Sequence, residues 1–210
     1  EKLTDYWRGF IAGLIFLSFC GTFLLARIVM PEPLVTAFMA GAMFCGICGY
    51  ERRRHRRLWF AGVWIFAALA CLTKGVRGIV YPAVVFALLS IFYREARIRF
   101  RALLRWEYVF LFLLIVMPWH IWAQWHFPHY FRYARSEWLG HLRGLTDETH
   151  DFLGVPAYHF VTLHVAWWFP WSIALLPGVI FAWRRVTRPR EINFGDALLL
   201  CWMGVVFIPL

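Results

Sequence analysis

The sequence predicts an all-α polytopic membrane protein, with about seven transmembrane helices and a helical outer (periplasmic) loop that carries a surface amphipathic helix. Three observations predict it. Apolar runs near membrane length recur along the 210 residues, and the chain is 61% hydrophobic with a mean hydropathy of +0.59. A bilayer core takes about 20 apolar residues per helix, so this pattern outweighs a soluble-core reading. The cations gather in short clusters between the runs. Only the stretch from about His120 to His159 is polar for too long to lie in lipid.

In order, the first crossing runs from Gly9 to Ile28 and ends at Arg27 and the turn Met30-Pro31-Glu32-Pro33, whose prolines stop a helix. Leu34–Tyr50 returns to Glu51-Arg52-Arg53-Arg54-His55-Arg56-Arg57. Leu58–Thr73 goes out to Lys74-Gly75-Val76-Arg77-Gly78. Ile79–Tyr93 comes back, with a kink expected at Pro82, to a connector holding Arg94, Arg97, Arg99, Arg101 and Arg105. Trp106–Trp125 leads out to the polar stretch. Phe160–Trp183 returns to Arg184, Arg185, Arg188 and Arg190, and Asp196–Leu210 begins a seventh crossing. Because the chain starts at Glu1 and stops inside an apolar run, it reads as a fragment of a longer protein. Residues 1–210 then make a single transmembrane domain with an outer loop over 120–159.

Orientation follows from counting cations. Sixteen of the 22 Lys and Arg fall in the connectors on one side of this scheme and six on the other. The positive-inside rule puts the sixteen in the cytoplasm, so the protein is expected in the cytoplasmic membrane with the 120–159 loop outside. The same distribution accounts for the net charge of +10 without nucleic acid, since no basic face on a soluble module is visible.

Within the outer loop, Phe127, Tyr130, Phe131, Ala134, Trp138 and Leu142 recur at three or four residues, with Pro128 where a helix could begin, while Arg132, Arg135 and His141 fall off that stripe. This is the pattern of an amphipathic helix lying on the membrane surface. Gly140, Gly144, Gly154 and Pro156 mark a looser segment, with Asp147, Glu148 and Asp151 read as a solvated face.

Other features bear on chemistry. Cys45 and Cys48 form a C-x-x-C, but Ala37, Gly41, Cys45 and Gly49 recur every fourth position. That makes a small-residue stripe for close helix packing, which is preferred to a redox or metal site. His120, His126, His129, His141 and His150 lack zinc-ligand spacing, so no metal ligand and no cofactor is assigned; a divalent ion is the minor reading. Arg27 with Glu32 reads equally well as an interfacial pair or as a functional one. Lys74 and Arg77, three apart and flanked by Gly75 and Gly78, suit a phosphate headgroup better than a plain loop.

At this point a family resemblance enters. Arg27-Ile-Val-Met-Pro-Glu32-Pro-Leu, then Leu72-Thr-Lys74-Gly75-x-x-Gly78 with Pro82, Pro118-Trp119, Glu137-x-x-Gly140, His150, Tyr158 and Phe169-Pro170-Trp171-Ser172 with Pro177 occur in that order. The chain resembles the GT-C membrane glycosyltransferases of the aminoarabinose lipid A transferase and protein O-mannosyltransferase type. The resemblance implies transfer of a sugar from a polyprenyl-phosphate donor to a lipid, glycan or protein acceptor at the outer membrane face. It implies Lys74 near the carrier phosphate, Glu32 in place of the usual aspartate, and a main catalytic acid in an outer loop upstream of Glu1, so that this fragment alone would be inactive. The turn departs from the family's Lys-Gly-Pro type by reading Lys-Gly-Val-Arg-Gly, which adds Arg77.

The resulting expectation assigns Lys74, Arg77 and Arg27, in that order, to the donor phosphate and Glu32 to an assisting role. Arg132, Arg135, Glu137, His141, Arg143, His150 and Tyr158 are assigned to the acceptor side of the outer loop. The competing classes are a non-catalytic membrane scaffold and a flippase for lipid-linked sugars. The latter predicts charges deep within spans and paired repeats, neither of which is seen.

Overall fold

The computed structural model describes residues 6–25, 27–28, 31–52, 54–136, 165–174, 177–178, 180, 184 and 194–207. Among them the regular structure is helical: α1 (Tyr6–Leu17), α2 (Cys20–Leu25), α3 (Glu32–Glu51), α4 (Arg56–Lys74), α5 (Arg77–Phe92), α6 (Arg94–Phe100), a 3-10 turn (Arg101–Leu104), α7 (Trp106–His126), a 3-10 turn (Trp171–Ala174) and α8 (Phe194–Phe207). Of these, α3, α4 and α7 are long and apolar enough to cross a membrane, and α5 is apolar but shorter at 16 residues. Among the described residues three crossings therefore stand on length and composition, and much of the expected crossing over Phe160–Trp183 lies outside them.

The chain divides into two compact units, Glu1–Pro33 with Asp147–Ala197, and Leu34–Thr146 with Leu198–Leu210. The second unit holds the well-packed helices. Where α3 meets α4, the small-residue stripe lies in the contact: a side chain at Gly41 would sit 2.9 Å from the Phe66 ring, and one at Gly62 would sit 2.8 Å from Cys45 Sγ. Gly46 meets Phe86 and Gly49 meets Phe60 in the same way. Cys45 and Cys48 are buried free thiols in this seam, so the C-x-x-C spacing serves packing. Lipid offers no hydrophobic drive between helices, and close approach through small residues is what holds them together. The α4–α7 seam is closed by Ala68, Cys71 and Val116 with Leu72, Phe112 and Ile115.

One end of this unit is basic, and its arginines are placed by helix ends. Arg56 Nε donates to Gly49 O at 3.0 Å and Arg99 Nη1 to Tyr50 O at 2.8 Å, capping the last turn of α3. Arg97 donates from Nε to Ser90 O and from Nη2 to Ile91 O, at 2.8 and 3.1 Å, capping α5. Helix C-termini present unsatisfied carbonyls and partial negative charge, so cations belong there. The α6 elbow then folds back under α4 and α5 through Phe100, whose ring lies 5.1 Å from Phe86 and 6.3 Å from Phe60. Trp64 Nε1 donates to Leu103 O at 2.9 Å, pinning the 3-10 turn.

The first unit departs from the sequence reading. The crossing expected over Gly9–Ile28 is broken after Leu17, and residues 168–170, inside the crossing expected over Phe160–Trp183, form a turn instead of helix. The two breaks meet. Cys20 N–H donates to Phe169 O at 2.9 Å, and Trp171 Nε1 donates to Ser18 Oγ at 2.7 Å, while Ser18 Oγ donates to Ile15 O at 2.8 Å. Gly21 packs against Trp167, and Phe19 stacks on Trp168 at 6.4 Å. A helix interrupted within a bilayer must have its freed backbone groups satisfied by protein, and here each break supplies the other. The Phe169-Pro170 peptide is cis.

Candidate functional site: the Lys74–Gly78 turn

The end of the second unit opposite the arginine clusters is built around the α4–α5 turn. Gly75 N–H donates to Cys71 O at 2.7 Å and closes α4. Gly75 then takes φ 71° and ψ −154°, a conformation open essentially to glycine alone. The chain re-enters helix at Arg77, with Gly78 N–H donating to Gly75 O at 3.0 Å and the Ile79 and Val80 N–H groups to Val76 O at 3.1 Å. Gly78 is buried where α5 crosses α4, and a Cβ there would strike the backbone of Ala70 and Cys71.

Lys74 and Arg77 do not share one helical face: Lys74 is the last residue of α4, Arg77 the first of α5, and the turn fixes their separation. The close partner of Gly78 is the backbone of α4, and Gly75 makes the turn. Both glycines serve the turn, and the turn holds the cations.

Electrostatically the two cations differ. Lys74, half-buried, sits in the last turn of α4, where the helix dipole favours positive charge. Arg77, exposed, opens α5, whose first turn has no acidic residue and whose N-cap, Val76, makes no side-chain hydrogen bond. A cation at a helix N-terminus is disfavoured by about 0.3–1 kcal/mol, and the same location attracts an anion. Helix stability alone would not put Arg77 there.

The remaining assigned residues fall as follows. Arg27, exposed, lies with its guanidinium carbon 4.1 Å above the Phe23 ring, one turn earlier. Glu32 is half-buried and opens α3, where a carboxylate is favoured by the dipole. Both belong to the first unit, and Lys74 and Arg77 to the second. Arg132 and Arg135 are exposed on the helical residues 130–136. That helix begins two residues after Pro128, with His129 at φ 79° before it and Gln124 Oε1 accepting the Phe131 N–H at 3.0 Å. His120 docks it to α7, its ring 5.8 Å from Tyr130 and 6.4 Å from Phe131. Of the apolar stripe, Ala134 is buried and Tyr130 half-buried, whereas Phe127 and Phe131 are exposed. Glu137, Trp138, His141, Leu142, Arg143, His150 and Tyr158 lie outside the described residues, as do Asp147, Glu148 and Asp151.

His120 and His126 are tied up locally. His120 Nδ1 lies 3.0 Å from Val116 O and His126 Nδ1 3.0 Å from Trp122 O, and His126 stacks on Trp122 at 4.3 Å. No group of three potential metal ligands occurs among the described residues. Sequence reasoning missed the paired breaks of the first unit. Pro170 inside an apolar run and Ser18 in the middle of another were the signals that could have found them.

Comparison with known proteins adds to this geometry. The undecaprenyl phosphate-alpha-4-amino-4-deoxy-L-arabinose arabinosyl transferase 1 of Sodalis glossinidius is 26% identical over 202 residues, covering 93% of this chain and 34% of the relative. The similarly named transferases of Erwinia tasmaniensis and Serratia proteamaculans are each 27% identical, over 95% and 96% of this chain and 35% of their own length. The chain thus spans about a third of the length of the curated relatives it matches. No solved structure matches it. The model of one family, described as dolichyl-phosphate-mannose-protein mannosyltransferase, matches residues 1–134, which is well over half of the chain, and the chain belongs to that family.

Proposed function

We propose that this chain is part of a membrane glycosyltransferase that moves a sugar from a polyprenyl-phosphate donor to a lipid, glycan or protein acceptor at the outer face of the cytoplasmic membrane. Family membership and relatives named for an undecaprenyl-phosphate sugar support the reaction class. The observation that carries the site is Arg77 at the first position of α5, joined to Lys74 at the last position of α4 by a turn only glycine can make.

In this reading the acceptor hydroxyl attacks the sugar's anomeric carbon as the bond to the carrier phosphate breaks. Negative charge grows on the leaving phosphate. In this reading Lys74 and Arg77 stabilise that charge, and fixed cations need little reorganisation during the reaction. The hydroxyl's proton goes to a carboxylate, the main one upstream of Glu1 with Glu32 assisting. Arg27 adds a further cation on the donor side. Arg132 and Arg135, with Glu137, His141, Arg143, His150 and Tyr158 beyond them, form the acceptor side.

The test is sugar transfer by the full-length protein from a labelled polyprenyl-phosphate donor. Lys74→Ala is expected to lower kcat by roughly 100–1,000-fold, as removal of one transition-state donor does elsewhere. Arg77→Ala should lower it less, because Arg77 is the more exposed. Wild-type turnover in the Lys74→Ala, Arg77→Ala double variant would leave a scaffold role as the better reading.

A further inference from the structure

Between α4, α5 and the α6 elbow lies a cavity of about 380 Å³ that the proposed chemistry does not use. Its walls are apolar, among them Trp64, Pro82, Ala83 and Ala87, and it follows α5 from Ile79 to Ser90. At 1.5 Å per residue that is about 16 Å, about the full hydrocarbon depth of one leaflet. The mouth at the elbow is different. Arg97 and Arg101 line it, and no acidic side chain does.

These two arginines are set differently from the other basic residues nearby. Arg99 and Arg105 are paired with Glu95 and Glu107. Arg97 is immobilised by the Ser90 and Ile91 carbonyls through Nε and Nη2, which leaves its Nη1 facing outward from those bonds. Arg101 is exposed and makes no ion pair among the described residues. A fixed cation, an exposed one lining the same cavity and an apolar slot one leaflet deep match the parts of a single amphiphile.

We propose that this cavity seats one anionic glycerophospholipid of the membrane, with an acyl chain along α5 and the phosphate held by Arg101 and Arg97. Charge complementarity selects the occupant, since basic pockets between membrane helices bind acidic headgroups while an apolar slot alone would accept any lipid. The bound lipid tethers the elbow to α5, so it is a structural ligand and distinct from the donor. The proposal does not depend on the glycosyltransferase reading or on which side the elbow faces.

The experiment is native mass spectrometry of the full-length protein, stripped of lipid in detergent and offered phosphatidylglycerol, phosphatidylcholine with the same acyl chains, or undecaprenyl phosphate. One phosphatidylglycerol per chain is expected, preferred over phosphatidylcholine by at least about fivefold, the contribution of one basic side chain at an anionic surface. Arg101→Gln should shrink that preference and Arg101→Lys should keep it. Ala87→Trp, which fills the slot, should abolish retention; where that variant fails to fold, Ala83→Leu is read instead. Equal retention of the two phospholipids, retention by a folded slot-filled variant, or displacement by equimolar undecaprenyl phosphate would each overturn the proposal. In none of these outcomes does transfer activity enter, so its fate is separate from that of the proposed function.

Discussion

Gly75 and Gly78 decide where two charges stand. A Cβ at Gly78 has no space between α5 and the Ala70 backbone, so Gly78→Ala must push the helices apart. Overpacking of this kind costs roughly 1–3 kcal/mol. Gly75→Ala meets a different penalty, the φ 71°, ψ −154° conformation, which for a residue with a Cβ costs about 1–3 kcal/mol. Both variants should lower the thermal unfolding midpoint of the full-length protein in detergent, and transfer should fall with them as Lys74 and Arg77 are displaced. An unchanged midpoint in both would mean the turn is not held as described. At this scale the glycines were legible in the sequence but their partner was not. A G-x-x-G spacing tells that something approaches the backbone closely, and only the crossing of α4 over α5 tells that it is another helix.

At the scale of elements, α3, α4, α5 and α7 begin and end within about two residues of the runs read from hydropathy. Their limits are set by local signals: prolines before α3, arginine clusters after α3 and α5, glycine after α4. The α1–α2 break was signalled in the sequence only by Ser18 within an apolar run, because its partners lie far along the chain: Cys20 N–H donates to Phe169 O, and the Trp171–Ser18 side-chain hydrogen bond spans 153 positions. Hydropathy averages over such a break. The arginines of the elbow were legible as cations, but their role as caps on α3 and α5 depends on a fold-back no local pattern announces. The break itself can be tested through its hydrogen bond. Ser18→Ala and Trp171→Phe each remove one partner, and each should destabilise the protein by about 0.6–1.7 kcal/mol, the range for side-chain hydrogen bonds between membrane helices. Because they remove the same bond, the double variant should cost less than the sum of the two. Additivity in a double-mutant cycle of unfolding free energies would show that the two breaks do not support each other there.

For the molecule as a whole, the question is which side of the membrane each end faces. Within the second unit α4 and α5 run antiparallel through the Lys74–Gly78 turn, so that turn and the arginine clusters necessarily lie at opposite ends. If α4 crosses the bilayer, Arg54 and Arg77 stand on opposite sides of it, and the bias of sixteen cations to six favours Arg54 in the cytoplasm. Both side chains are exposed, so cysteines placed there can be reached. Of the five cysteines in these 210 residues, Cys45, Cys48 and Cys71 are buried and Cys20 and Cys201 lie within apolar helices, so a variant in which any cysteines elsewhere in the full-length protein are replaced gives a low background with a charged reagent. Arg77→Cys in the full-length protein should therefore react with a membrane-impermeant maleimide in cells whose cytoplasmic membrane is intact. Arg54→Cys should react only after that membrane is opened. The reverse pattern would put the Lys74–Gly78 turn in the cytoplasm and remove the outer-face reaction, while labelling of both sites in intact cells would mean α4 does not span. A cation pair at the outer end is useful only if the donor's phosphate reaches that leaflet, so this measurement bears directly on the proposed chemistry as well as on the topology.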